Sequence, residues 1–222
     1  MNNLASAYED KNSSYFSNDR REMLSFIPPE VTNLLEIGCG NGSFGALLKE
    51  SRRVEVTGVE SFAAAAVRAR RVLDRVLESD IERADLEIPH GYFDCITYND
   101  VLEHLHDPWT TVSRFAQYLR PGGYVVASIP NIRYFDAFKS LLVNKDWIYQ
   151  SEGVLDRTHL RFFTEKSIAR LFEESGFEVL RLQGINGRPF PWKFRVLNFL
   201  CGHRFDDVRF RQFACVARRL AT

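Results

Sequence analysis

Apolar residues recur along this chain in two alternating rhythms, short solid runs and longer stretches with helical spacing. From Arg20 to Ile27 the spacing predicts a short helix, which Pro28 and Pro29 stop by removing backbone donors and forcing an extended path. "TNLLEIG" then predicts a buried strand, "SFGALLKES" a helix and "VEVTGVE" a second strand, which together make a βαβ unit. "FAAAAVRARRV" is helical by alanine propensity, "RVLES" predicts a short strand and "FDCITYND" a stronger one. "DPWTTVSRFAQYLR" has an Asp-Pro start signal and helical spacing, and is expected to end at Pro121-Gly122-Gly123, before the strand "YVVASIP". Strands alternating with helices in this way predict an α/β fold, a mostly parallel sheet covered on both faces.

The rhythm breaks twice. Residues 131–161 hold an aromatic-rich piece, "YFDAFKSLLVNKDWIYQ", and lead into "DRTHLRFFT". They read as an insertion forming a lid or substrate wall, with core packing as the alternative. Alternation resumes with Thr164 as N-cap, a helix from Glu165 to Glu174, Gly176 as C-cap and a strand from Phe177. A second addition, 184–208, contains "GRPFPWKFRVLNFLCGHRF" and precedes the last strand, "RQFACVARR". Ligands of open α/β sheets bind beyond the carboxyl ends of the strands, so pieces added near that edge can cover a site. The expectation is one domain over 1–222, with 1–30 as an N-terminal cap segment.

Composition narrows the choice. With 222 residues, 45% hydrophobic and 26% charged, the chain can bury one substantial core, which argues against disorder. Its 29 Lys and Arg balance 29 Asp and Glu, so no net field gathers nucleic acid or an anionic membrane, and charge-driven binding must be local. Between Arg188 and Arg219 basic residues outnumber Asp206 and Asp207. That reads as a solvated face, or else as a place for a phosphate-bearing substrate or peripheral membrane contact. Cys39, Cys95, Cys201 and Cys215 show no metal-ligand spacing, so no metal is expected and a reducing cytoplasm fits. Residues 2–21 lack the apolar centre of a signal peptide, and no run approaches the ~20 apolar residues of a membrane span. A soluble cytoplasmic protein is expected; oligomeric state has no signature in the sequence.

The candidate chemistry starts at "LLEIGCGNGSFG", where Gly38, Gly40 and Gly42 follow a strand and open a helix. Bare N–H groups at a helix start, approached by glycines, suit a nucleotide whose atoms come close to the backbone. The spacing G-x-G-x-G departs from the G-x-G-x-x-G of dinucleotide folds, so a nicotinamide oxidoreductase is disfavoured. Glu60 ends the second strand about twenty residues on, where a carboxylate can accept both hydroxyls of a ribose.

"LLEIGCGNGSFG", "GVE", "ESDIE", "FDCITYNDVLEHLHDP" and "LRPGGYVVASIPN" occur in an order and spacing that resembles the class I S-adenosylmethionine-dependent methyltransferases, over roughly Ser14 to Arg219. The resemblance implies a Rossmann-like, doubly wound, seven-stranded sheet with an antiparallel last strand and an inserted helical or aromatic cap after the fifth. S-adenosylmethionine would lie across the ends of the first four strands and leave as S-adenosylhomocysteine. Carried over by position, Glu36 helps hold the ligand ammonium while Gly38 and Gly40 pass beneath it. Asp80 receives the adenine amino group with Ile81 beside the ring, and Asn99 offers its backbone carbonyl. Val101 and Leu102 wall the ligand, and Arg20 faces the methionine carboxylate, with Arg21 as the alternative. Asp80 as a loop cap is the competing reading.

Methyl transfer from a sulfonium is a direct displacement that needs alignment in a dry pocket, and a hydroxyl acceptor gains from a base. His159, in the segment that interrupts the alternation, is the first candidate, with seating of that segment on the sheet as its alternative; His104 is the second, with stabilisation of its loop as the alternative, while His106 reads as structural. "GVLDRTHLRFFT" resembles bacterial methyltransferases of cell-surface polysaccharide synthesis and also quinone-type O-methyltransferases. The expected activity is therefore O-methylation of a small molecule or a glycan. The alternatives are a quinone or lipid acceptor, or an S-adenosylmethionine-binding regulatory module without turnover.

Overall fold

The computed structural model describes residues 19–83, 86–190 and 192–220; most of the expected N-terminal cap segment lies outside them. Seven strands form one sheet: β1 (Asn33–Ile37), β2 (Glu55–Glu60), β3 (Arg75–Glu78), β4 (Phe93–Asn99), β5 (Leu119–Pro130), β6 (Phe177–Gly187) and β7 (Phe210–Arg219). Their order is β3-β2-β1-β4-β5-β7-β6. The first five pair in parallel, and β7 runs antiparallel to both β5 and β6, as the resemblance implied.

Six α-helices accompany the sheet among the described residues: α1 (Ser43–Ser51), α2 (Ala63–Ala69), α3 (Pro108–Phe115), α4 (Phe135–Lys139), α5 (Glu165–Glu174) and α6 (Trp192–Leu200). Alternation along β1 sends Leu34 to one face, with Phe44, Leu48, Val56 and Met23, and Leu35 and Ile37 to the other, with Phe115, Ile168 and Phe172. Two apolar layers result, one on each side, and the carboxyl ends of β1 to β5 share one edge. The helix predicted at Glu165–Glu174 has its Thr164 N-cap completed by Ser167 as a capping box; Ser175 is the C-cap, and Gly176 follows it with φ 88°.

Three boundaries differ from expectation. The helix expected at Arg20 to Ile27 is a 3-10 helix, Arg21–Phe26, whose last turn closes with Ile27 N–H on the Leu24 carbonyl just before the two prolines turn the chain to an extended path. β5 starts at Leu119 and passes through Pro121-Gly122-Gly123. Its register with β4 shifts between Phe93 and Cys95, and that irregularity absorbs the extra residues, with Gly122 at φ 72°. β6 extends to Gly187, so the first residues of the second expected insertion belong to the sheet. The two additions meet beside β5: Asn131, wholly buried, bridges to Phe163 and donates through Nδ2 to the carbonyls of Asp207 and Phe210, each at 3.0 Å.

Candidate active site

β1 turns out of the sheet on Gly38 (φ 64°) and Gly40 (φ 55°). The N–H groups of Gly38 and Cys39 both donate to the Val59 carbonyl, at 2.8 and 3.1 Å, which fastens the turn to β2. A Cβ on Gly38 would stand 2.7 Å from Val101 Cγ2, so torsion and space both require glycine there. Gly40 N–H donates to Glu60 Oε2 at 2.8 Å and Phe62 N–H to Oε1 at 2.9 Å, aiming the carboxylate that ends β2 back across the turn. Burial pushes the Glu60 pKa up against these bonds.

Glu36 lies under the first turn of α1, where a Cβ on Gly45 would come 2.7 Å from its Oε2. Burial raises its pKa to about 8; the Gly45 N–H opposes this, and the nearby Glu60 charge adds to it. Oε2 has no hydrogen-bond partner among the described residues. A buried carboxyl oxygen left in that state is a site for an incoming donor such as an ammonium.

The tip of β4 gathers a second group. Asp100 adopts φ 55°, donates its N–H to the Ser128 carbonyl at 3.0 Å, and accepts at Oδ1 from Ser128 Oγ (2.9 Å) and Gln212 Nε2 (2.7 Å). Its other oxygen pairs with Arg20, whose Nη1 also donates to Gln212 Oε1 at 3.2 Å. The expected arginine is thus held one residue from Asn99, whose side-chain amide is unbonded among the described residues. Val101 is half-buried and touches the glycine turn, whereas Leu102 lies wholly within the core and presents no surface. Asp80 is on the same edge, because Ser79 N–H donates to the Glu60 carbonyl at 3.1 Å. Its side chain caps its own turn, accepting from Glu82 N–H at 3.0 Å and pairing with Arg83 at 3.2 Å, and Ile81 next to it is buried.

Both candidate histidines come together just past this tip. The rings of His104 and His159 meet edge to face with centroids 4.8 Å apart. His104 Nδ1 is 3.1 Å from the Thr158 carbonyl oxygen and His159 Nδ1 is 3.1 Å from that of Val154. A carbonyl oxygen only accepts, so each Nδ1 carries a proton, which leaves Nε2 as the nitrogen of each ring that can gain or lose one. His159 is buried, His104 half-buried. Glu103, almost wholly buried, has Oε1 3.9 Å from His159 Nε2, and its carbonyl receives the N–H groups of Leu160 and Arg161 at 2.8 and 3.0 Å. The segment bearing His159 is therefore seated on the β4 loop by main-chain bonds. Glu103, His104 and His159 offer ligand atoms all within 4.8 Å of one another. Sequence reasoning singled out neither Glu103 nor the Asp100–Gln212 pair. The adjacent Glu-His of "LEH" was the available signal for Glu103, but its partner stands far along the chain.

A family model described as a methyltransferase domain matches residues 9–182. The chain is similar to the ubiquinone biosynthesis O-methyltransferase of Aromatoleum aromaticum, 31% identical over 173 residues that cover 74% of this chain and 72% of that protein. It is also similar to the protein of the same name from Coxiella burnetii, 26% identical over 77% of this chain and 76% of that one. Among solved structures, an S-adenosylmethionine-dependent methyltransferase from Archaeoglobus fulgidus shares the fold with a TM-score of 0.66 at 19% identity, covering 97% of this chain and 98% of that one. A Burkholderia thailandensis 1,6-didemethyltoxoflavin-N1-methyltransferase with bound S-adenosylhomocysteine does so with a TM-score of 0.64 at 17% identity, over 98% and 85%. With the sheet order, the glycine turn and the carboxylate that closes on it already in place, these matches establish that the chain belongs to the class I S-adenosylmethionine-dependent methyltransferases, enzymes that use that cofactor.

Proposed function

We propose that this enzyme methylates a hydroxyl of a small-molecule acceptor, with the paired imidazoles of His104 and His159 taking up the proton. The observation that carries the reading is that pair, each ring fixed through Nδ1 so that Nε2 is the nitrogen left to exchange a proton. The oxygen acceptor is supported by the two relatives named for ubiquinone biosynthesis, which lend no support to the glycan or polysaccharide acceptor also expected from sequence. The favoured acceptor is therefore a phenolic or quinol-type ring.

In this reading Glu60 grips the ribose hydroxyls, Gly38 and Gly40 underlie the methionine part, and the unsatisfied Glu36 oxygen and the Asn99 carbonyl receive the ammonium. Arg20 faces the carboxylate, Asp80 and Ile81 border the adenine, and Val101 with Leu102 behind it forms the wall. The cofactor supplies an electrophilic methyl group. The chain's own residues hold the acceptor oxygen in line with it and accept the hydroxyl proton at Nε2, a task suited to histidine near neutral pH. His104 is the more exposed ring and meets the acceptor; His159 sits behind it and fixes its orientation.

Purified protein given S-adenosylmethionine and a catechol-type acceptor should yield a product heavier by one methyl group. His104→Ala should lower kcat by roughly a hundredfold or more while sparing cofactor affinity. Retention of full turnover by both His104→Ala and His159→Ala would remove the pair from the mechanism.

A second reading of the same cluster rests on its donor set: two imidazoles with Nδ1 bonded to carbonyls and one carboxylate form a divalent-cation site, in which the metal would acidify the acceptor hydroxyl. Loss of turnover on chelation, restored by added Mg²⁺ or Zn²⁺, selects this reading over a metal-free base.

A further inference from the structure

We propose that α6 is an interfacial element that seats the enzyme on an anionic lipid bilayer. The inference stands apart from the acceptor and rests on how this helix is turned. One side of α6 is fixed to the protein. Phe194 packs against Phe190, Phe135 and Phe205 with ring centroids 4.8, 5.3 and 6.0 Å away. Asn198, one turn later and 3% exposed, donates to Asp206 Oδ1 at 2.6 Å and accepts from Phe205 N–H at 2.9 Å.

The opposite side is apolar and faces outward. Trp192, Val196, Phe199 and Leu200 are 71, 53, 69 and 75% exposed. They fall at i, i+4, i+7 and i+8, a stripe roughly 100° wide along the helix. An amphipathic helix of a globular domain turns such a stripe to the core, whereas here the inner side is taken by Phe194 and the polar Asn198. Scattered exposed apolar residues are ordinary, but a continuous stripe marks a binding surface. The continuation of α4 adds Leu141, Leu142 and Val143, also exposed, and α4 meets α6 through the Phe135–Phe194 ring contact.

Charge decides the occupant. On the helical wheel Lys193 flanks the stripe on one side and Arg195 on the other, both exposed. Residues 188–211 hold six basic side chains against Asp206 and Asp207, and these acids are engaged, Asp206 by Asn198 and His203 and Asp207 by Arg133. A second copy docking stripe to stripe would set these cations against their own kind. An apolar strip edged by cations matches acyl chains beneath anionic headgroups. No helix among the described residues is long and apolar enough to cross a membrane, so α6 would lie in the interfacial plane.

The test is co-sedimentation of the full chain with vesicles of phosphatidylcholine alone or mixed with phosphatidylglycerol. The protein should sediment with the mixed vesicles, be released by about 0.5 M salt, and bind the neutral ones far less. Lys193→Ser with Arg195→Ser should weaken binding to the mixed vesicles roughly thirtyfold. Val196→Glu with Leu200→Glu should weaken it by about a hundredfold, leaving melting temperature and S-adenosylmethionine affinity unchanged because both positions are exposed. The proposal falls if the unaltered protein binds neither vesicle or if the Glu pair binds as well as it does. It falls equally if light scattering without lipid shows a dimer that the Glu pair dissolves, since the stripe would then be an interface between copies.

Discussion

Glu36 is a carboxyl that the fold prefers neutral, in a place where a bound ammonium would prefer it ionised. Its pKa rises from 4.5 to about 8, mainly through burial. The folded chain therefore holds a proton there that the unfolded chain has lost, and Glu36 makes stability fall as pH rises from about 4.5 to about 8. Below that window its contribution is fully present; above it the loss is complete. Glu36→Gln keeps the neutral shape, so the variant's melting temperature should decline less between pH 5 and pH 8, as read by paired thermal melts. Under the proposed ammonium contact, cofactor binding at neutral pH should also release a proton. Calorimetry in buffers of different ionisation heat would register this in the parent protein and not in the variant. The residue type and its motif position were legible in the chain, but the buried, unsatisfied oxygen under α1 required the packing of Gly45 against it.

Between elements, one side chain ties the start of β1 to β4 at the end opposite the site. Asp94, at the start of β4 and 3% exposed, accepts from Thr32 N–H, Thr32 Oγ1 and Asn33 N–H at 2.7, 2.8 and 3.0 Å, and pairs with Arg120 at 3.0 Å. Burial raises its pKa, but these bonds and Arg120 outweigh that and the net shift is downward. Its contribution is thus present above the ordinary 3.8 and lost as pH falls through the lower folded value. Asp94→Ala strands several donors where β1 enters the sheet. It should cost about 3 kcal/mol by urea unfolding at neutral pH, while the glycine turn at the other end of β1 keeps its cofactor affinity. Strand and helix order could be read from apolar rhythm because each element shows its period locally. The start of β5 could not, since Pro121-Gly122-Gly123 signals a stop and only pairing with β4 carries the strand through it.

For the whole molecule, the strongest check is selective stabilisation. At a hundred times its Kd, S-adenosylmethionine should add about 2.7 kcal/mol, a rise of roughly 5–10 °C in Tm for a chain of this size, with NAD giving none. Glu60→Ala should abolish most of that rise in a thermal melt, because it removes the carboxylate that closes on the glycine turn. Net charge, zero for the chain as a whole, spoke only against gathering polyanions at long range; the basic fringe and outward apolar stripe of α6 belong to one face and are averaged away in the sum. The sequence by itself determined the element order, the G-x-G-x-G turn with its acidic partner, and through them the family, since these are local patterns at fixed spacing. Tertiary structure alone decided that His104 and His159 share one cluster with Glu103, that Arg20 rests on Asp100 at the tip of β4, and which side of α6 meets solvent. Each of those depends on contacts between residues far apart in the chain, and periodicity fixes the faces of an element without saying what will be placed against them.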